Sequence, residues 1–295
     1  MEARQKYHHG TSERQVSKGS IRLLILLTGL CFGVAGPAFA IDLNKIFELG
    51  TKIVKIASDV TEEQEVEMGS NLISGLLGAA PLVDDAVLQQ YVNDVGYWIA
   101  SRSSRPDLPW TFGVIDSDGI NAFAAPGGYI VITRGLYNLF ENEAQLAGVL
   151  AHEISHVVQK HHLEALQEVL EQEVWTGLAV MAVDDKGDRE NLEFLVNAGV
   201  QLYATGLDRE YEYDADLRGV VLAARAGYDP YALLDVLTTI DSINPDTAEL
   251  TVMMNTHPPT GDRLTRLADG MEGRLDYYAQ GQSNLKRFQQ ISARQ

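Results

Sequence analysis

Hydrophobic and polar positions along this chain alternate mostly with helical spacing. Residues 43–57 and 62–78 read as amphipathic helices, and Thr61-Glu62-Glu63-Gln64 opens the second with a capping-box pattern. A third helix is predicted over 84–101, followed by a turn-rich break at 103–109. Residues 110–115 alternate as a short strand. Two β-prone runs, 120–125 and 129–133, flank Pro126-Gly127-Gly128 and read as a hairpin. Asn142 starts a long helix with Gln145 as its capping partner, and Leu146, Val149, Leu150, Ile154, Val157 and Val158 keep its apolar stripe. Further helices are expected at 164–183, 189–205 and 208–226. Another begins at Asp229-Pro230, an N-cap residue followed by proline at the first helical position. Between them, Asp184-Asp185-Lys186-Gly187-Asp188 reads as a solvated turn, since its spacing fits no standard calcium loop. The fold class is therefore α+β: mostly helical, with one small sheet or hairpin next to the long central helix. No linker divides residues 41–295, which read as a single domain with its core over 61–270.

The first forty residues break this pattern. Arg4, Lys6, Arg14, Lys18 and Arg22 precede an apolar stretch over 23–35, and Ala38-Phe39-Ala40 is a small-x-small cleavage site. Residues 1–40 read as a signal peptide, with the exported chain starting at Ile41 and an uncleaved membrane anchor as the alternative. No apolar run reaches the roughly 18 residues of a spanning helix, which excludes a polytopic membrane protein. The whole chain of 295 residues carries a net charge of −18. The leader holds five basic and two acidic residues, so its removal leaves 18 basic and 39 acidic, a net of −21. Such a balance excludes nucleic acid as the main partner, because phosphate contacts need a basic surface. The lone Cys31 leaves with the leader, which rules out disulfides, thiol catalysis and a Cys-ligated zinc module.

Candidate chemistry lies in the long helix, where residues 152–156 read His-Glu-Ile-Ser-His. Residues four apart on a helix are about 40° apart around it and one turn apart along it, so His152 and His156 can grip one metal ion from one side. Glu153 is turned about 100° from His152 and is placed to serve a water beside the metal as general base. A zinc ion lowers the pKa of its water to about 7, which makes a carboxylate a sufficient base.

A catalytic zinc needs a third protein ligand and an open position. His162 lies six residues beyond His156, but that placement needs a helix break, and nothing in Val157-Val158-Gln159-Lys160 supplies one. In a continuous helix His162 points about 240° away from His156, and both His161 and His162 read as surface histidines. The other placement is the acid-dense run from Arg209 to Asp216. Glu212 and Asp216 share a helix face, so one can bind the metal while the other holds a ligating imidazole. Spacing alone does not choose among Glu210, Glu212, Asp214 and Asp216.

Four blocks in order now stand out: Asn121-Ala122-Phe123-Ala124-Ala125-Pro126-Gly127-Gly128, Leu150-Ala151-His152-Glu153-Ile154-Ser155-His156, Glu212-Tyr213-Asp214-Ala215-Asp216 and Thr256-His257-Pro258-Pro259-Thr260. Over about 62–267 the chain resembles the family-48 zinc metallopeptidases, which include HtpX-type and CAAX-prenyl proteases, and within them the soluble periplasmic branch. The resemblance implies a zincin-like metallopeptidase domain holding one Zn2+ through His152, His156 and Glu212. It implies Glu153 as the catalytic base and Asp216 as the acceptor behind a ligating histidine. Asp208-Arg209 stands where the family usually has Ser-Arg, which leaves the ligand assignment intact. His257 matches a histidine that can close the open metal position from a loop, which implies a latent state. Arg263 is a candidate transition-state stabiliser. The expected substrates are unfolded or misfolded proteins of the envelope, with peripheral association with its membrane as a candidate property. The chain is too short for the helical-repeat domain of the branch's larger members, so partner recruitment by such repeats is not expected. Two function classes compete: a zinc endopeptidase of envelope quality control, and a chaperone-like or binding protein whose zinc is structural or permanently capped.

Overall fold

The computed structural model describes residues 60–176 and 206–293, apart from 246, 251–252, 254–255 and 258–259. The predicted leader, the helices at 43–57 and 189–205, the end of the 164–183 helix and the Asp184 turn lie outside the described residues.

Helix α1 (Glu62–Ala79) starts as its sequence requires. Thr61 accepts from the Gln64 backbone N–H, and the Gln64 side chain returns to the Thr61 N–H, so two otherwise unpaired helix-end donors are satisfied. Helix α2 (Ala86–Ala100) is capped by Asp85, which accepts from Val87 and Leu88 N–H. Strand β1 (Thr111–Ile115) follows, then β2 (Ala122–Ala125) and β3 (Tyr129–Thr133). The predicted hairpin forms between β2 and β3, with Ala125 opposite Tyr129. Its tight turn places Gly127 and Gly128 at φ 76° and 101°, a region that L side chains rarely adopt. β1 pairs with β3 in parallel, giving the order β1-β3-β2 and leaving β2 outermost among the described strands.

A short helix α3 (Arg134–Tyr137) leads to the central helix α4 (Glu143–Gln159). Its cap is Asn142, which accepts from Gln145 N–H, while the Gln145 side chain takes the Glu141 N–H. Helix α5 (His161–Thr176) follows after a single residue, and then come α6 (Arg209–Arg225), α7 (Ala232–Asp241), α8 (Thr260–Met271) and α9 (Leu285–Ser292). Helix α7 starts two residues later than Asp229-Pro230 suggests. Asp229 instead accepts from Tyr231 N–H in a turn ahead of the helix.

The core forms around α4, which is buried on all sides over Glu143–Val157. α2 and the sheet cover one flank; α6 and α7 cover the other. α4 and α6 approach closely because Gly219 has no side chain. A Cβ there would stand 2.9 Å from the His152 N and Cα atoms. Among the described residues, no helix is long and apolar enough to cross a membrane.

Candidate metal centre

The long helix does break. Lys160 adopts the left-handed conformation (φ 60°, ψ 30°), and α5 begins at His161. The expectation that nothing interrupts Val157-Val158-Gln159-Lys160 is therefore corrected, and the cause is tertiary. Arg105 donates to the Val157 carbonyl at 3.2 Å. It also forks onto buried Glu65 at 2.8 and 2.9 Å, and Lys160 reaches the same carboxylate at 3.3 Å. Glu65 further accepts from Gly127 N–H in the hairpin turn. This clasp gathers α1, the loop after α2, the sheet and the end of α4.

The break swings both following histidines inward, so neither is a surface residue. His161 is 4% exposed and its Nδ1 lies 3.0 Å from His156 Nδ1. Half-buried His162 lines a cavity with Ala122, Glu153, His156 and Glu212.

His152, Glu153 and His156 are all buried on α4. His152 Nδ1 pairs with Asp216 Oδ1 at 2.9 Å, which turns its Nε2 toward Glu212 and to 3.2 Å from His156 Nε2. His156 Nε2 lies 3.3 Å from Glu212 Oε1. His257 Nδ1 sits 2.7 Å from Glu212 Oε2. His152, Glu212 and His257 offer ligand atoms all within 4.8 Å of one another. Asp216 holds Arg263 through two hydrogen bonds, at 2.8 and 2.6 Å. Arg263 is itself buried, and its guanidinium also lies 3.5 Å from Glu212 Oε2. Of the acid run, Glu212 and Asp216 face the histidines, Asp214 faces His161, and Glu210 points to the surface against Arg266.

The donor set fits a divalent cation. Glu212 Oε1 is buried and has no hydrogen-bond donor among the described residues, although three imidazoles surround its carboxylate. Burial pushes Glu212 up, but His257, His156 and His152 hold it well below the usual carboxylate range. Burial works against charge on His152, yet its hydrogen bonds to Asp216 and Glu212 outweigh this and push its pKa up to about 9. Negative charge in excess at this point draws in a cation, whether a proton or a metal ion. Burial holds His156 neutral and takes its pKa down to about 4. Burial also raises Glu153, with His152, His257 and Arg263 opposing and Glu212 adding to it. Two imidazoles, a carboxylate and a third imidazole suit zinc by ligand type.

A model of peptidase family M48 matches residues 86–270. The chain belongs to that family. It is 32% identical to the beta-barrel assembly-enhancing protease of Escherichia coli K12 over 258 residues, covering 85% of this chain and 52% of the relative. It is 30% identical to the putative beta-barrel assembly-enhancing protease of Vibrio cholerae over 244 residues, covering 81% and 50%. The mitochondrial metalloendopeptidase OMA1 of Schizosaccharomyces pombe is 30% identical over 179 residues, covering 61% and 52%. The chain spans about half the length of these relatives.

Sequence reasoning missed the inward placement of His161 and His162. The one available signal was the crowding of His161-His162 so soon after the motif, and it carried no information on the break itself.

Proposed function

We propose that this protein is a zinc-dependent metalloendopeptidase of the cell envelope that holds one Zn2+ through His152, His156 and Glu212. The observation that carries this reading is the convergence of two Nε2 atoms and an undonated buried carboxylate oxygen, with Glu153 beside them. Zinc bound there supplies Lewis acidity for a peptide carbonyl and a lowered pKa for a water molecule. Glu153 takes the proton of the attacking water and returns it to the leaving nitrogen. Burial raises its pKa, which suits a group that must give the proton back. Asp216 fixes His152 with its proton on Nδ1, so that Nε2 is available as a ligand. Strand β2 runs along the cavity that Glu153 and His156 line, where an extended substrate would lie. A site that takes extended chain suits unfolded or misassembled proteins as substrates. The signal-peptide pattern and the named protease relatives support export to the periplasm and a role in quality control.

Casein degradation by the zinc-loaded protein, wild type beside Glu153→Gln, tests the reading. Glu153→Gln is expected to keep its zinc and lose at least about a hundredfold in rate; undiminished hydrolysis would remove Glu153 as the base.

The contact between His257 and Glu212 supports a capped, latent state, and it also favours the second reading of a client-binding protein with a closed zinc site. His257→Ala is expected to raise basal proteolysis. A zinc-loaded His257→Ala protein that binds unfolded clients without cutting them would favour the second reading.

A further inference from the structure

His156 requires a particular proton arrangement that His152 obtains from Asp216. An imidazole that offers Nε2 to a metal must carry its proton on Nδ1, and that proton needs an acceptor. No carboxylate among the described residues pairs with His156 Nδ1; the atom at 3.0 Å is Nδ1 of His161. His161 can accept there only with its own proton on Nε2. Nε2 lies 3.3 Å from Asp214 Oδ2, a carboxylate able to take that proton as a hydrogen bond. One proton arrangement therefore satisfies every atom in the row: His156 Nδ1–H donates to His161 Nδ1, and His161 Nε2–H donates to Asp214. The His161 ring is held by the Tyr211 ring, 4.9 Å between centroids.

We propose that His161 is the positioning residue for His156, fixing its tautomer and ring orientation for metal binding, with Asp214 fixing His161 in turn. The proposal rests on His156 being a zinc ligand. It gives the two histidines of the motif different supports: a carboxylate held by Arg263 behind His152, and an imidazole behind His156, backed by the partly exposed Asp214 that Arg218 also holds. The left-handed residue at Lys160 is what makes this possible. A helix continued by one more turn would carry His161 away from His156.

The test is zinc affinity of the full chain, measured by competition with a chromophoric chelator, together with thermal unfolding in excess chelator to check the metal-free fold. His161→Leu is expected to bind zinc about ten- to a hundredfold more weakly, with a metal-free midpoint close to wild type. His161→Asn is expected to recover most of the loss, because its Oδ1 stands near the position of Nδ1 and accepts from His156. Asp214→Ala, at a partly exposed site, is expected to weaken binding in the same direction by several-fold, and serves if His161→Leu does not fold. Nitrogen NMR of the zinc-loaded protein is expected to show His156 protonated on Nδ1 in wild type and His161→Asn. Unchanged affinity in folded His161→Leu, or an Asn variant no better than Leu, would overturn the relay. His156→Ala is the control: if it binds zinc as tightly as wild type, the ligand assignment falls and takes the proposal with it. A weakened His156→Ala beside an unaffected His161→Leu would sink the relay alone.

Discussion

Glu212 is the residue on which the others depend. It stands on the first turn of α6, and its two oxygens face three imidazoles and the Arg263 guanidinium. Glu212→Gln removes the charge while keeping the shape, so it separates the two contributions. The zinc content of purified Glu212→Gln, measured by atomic absorption, is expected to fall at least about tenfold. A full complement of metal would move the ligand to another acid. At this scale the sequence was informative where chemistry has a fixed spacing. His152, Glu153 and His156 are legible from the helix alone. Glu212 and Asp216 are legible only as a pair on one face, because proximity to α4 comes from packing at Gly219. Arg263 pairs twice with Asp216 and stands 3.5 Å from Glu212 Oε2, in a cavity wall shared with Glu153 and His257, a placement that spacing along the chain does not give.

At the scale of elements, Glu65 governs where α4 ends. Burial pushes its carboxyl up, but Arg105, the Gly127 N–H and Lys160 pull it net below its ordinary value of 4.5. A carboxylate with a depressed folded pKa contributes stability that is complete above its unfolded pKa and lost as pH falls through the folded one. Urea unfolding is expected to show Glu65→Gln about 2 kcal/mol less stable than wild type at pH 7, with the gap closing as pH falls below 4.5. A gap independent of pH would mean that packing, not the ion pairs, holds the clasp. The caps at Thr61 and Asn142 were visible in the sequence because they are local: side chain and backbone partner lie three residues apart. The stop at Lys160 was not, because lysine carries no helix-ending signal and its left-handed backbone is imposed by Arg105 and Glu65, far away in the chain. The parallel pairing of β1 with β3 was hidden for the same reason. It joins segments on opposite sides of β2.

The whole molecule carries a net charge of −18, and this acts on substrates before any contact is made. Cleavage of a basic unfolded peptide is expected to exceed that of an acidic one of equal length. The ratio should shrink toward one as salt rises from about 20 mM to about 500 mM, where the screening length falls well below 10 Å. A ratio that ignores salt would place selectivity in the cleft itself.

Glu143 begins α4, ten positions before Glu153 in the chain, and is buried without exposure to solvent. Its carboxylate accepts from Tyr91, Tyr228 and Asn284, and Arg287 lies 3.4 Å away. Two of these four partners belong to the last segment of the chain, where Phe288 also packs on Tyr137. The helix bearing the metal-site histidines is thus pinned at its far end by the tail. A single nick after Ser283 by any contaminating peptidase, or by a sister molecule in a concentrated stock, would strip that end of its amide and its guanidinium. A buried anion would then be left with two phenols for support. Intact mass is therefore the first thing to verify in a preparation that proves sluggish, before its metal is blamed.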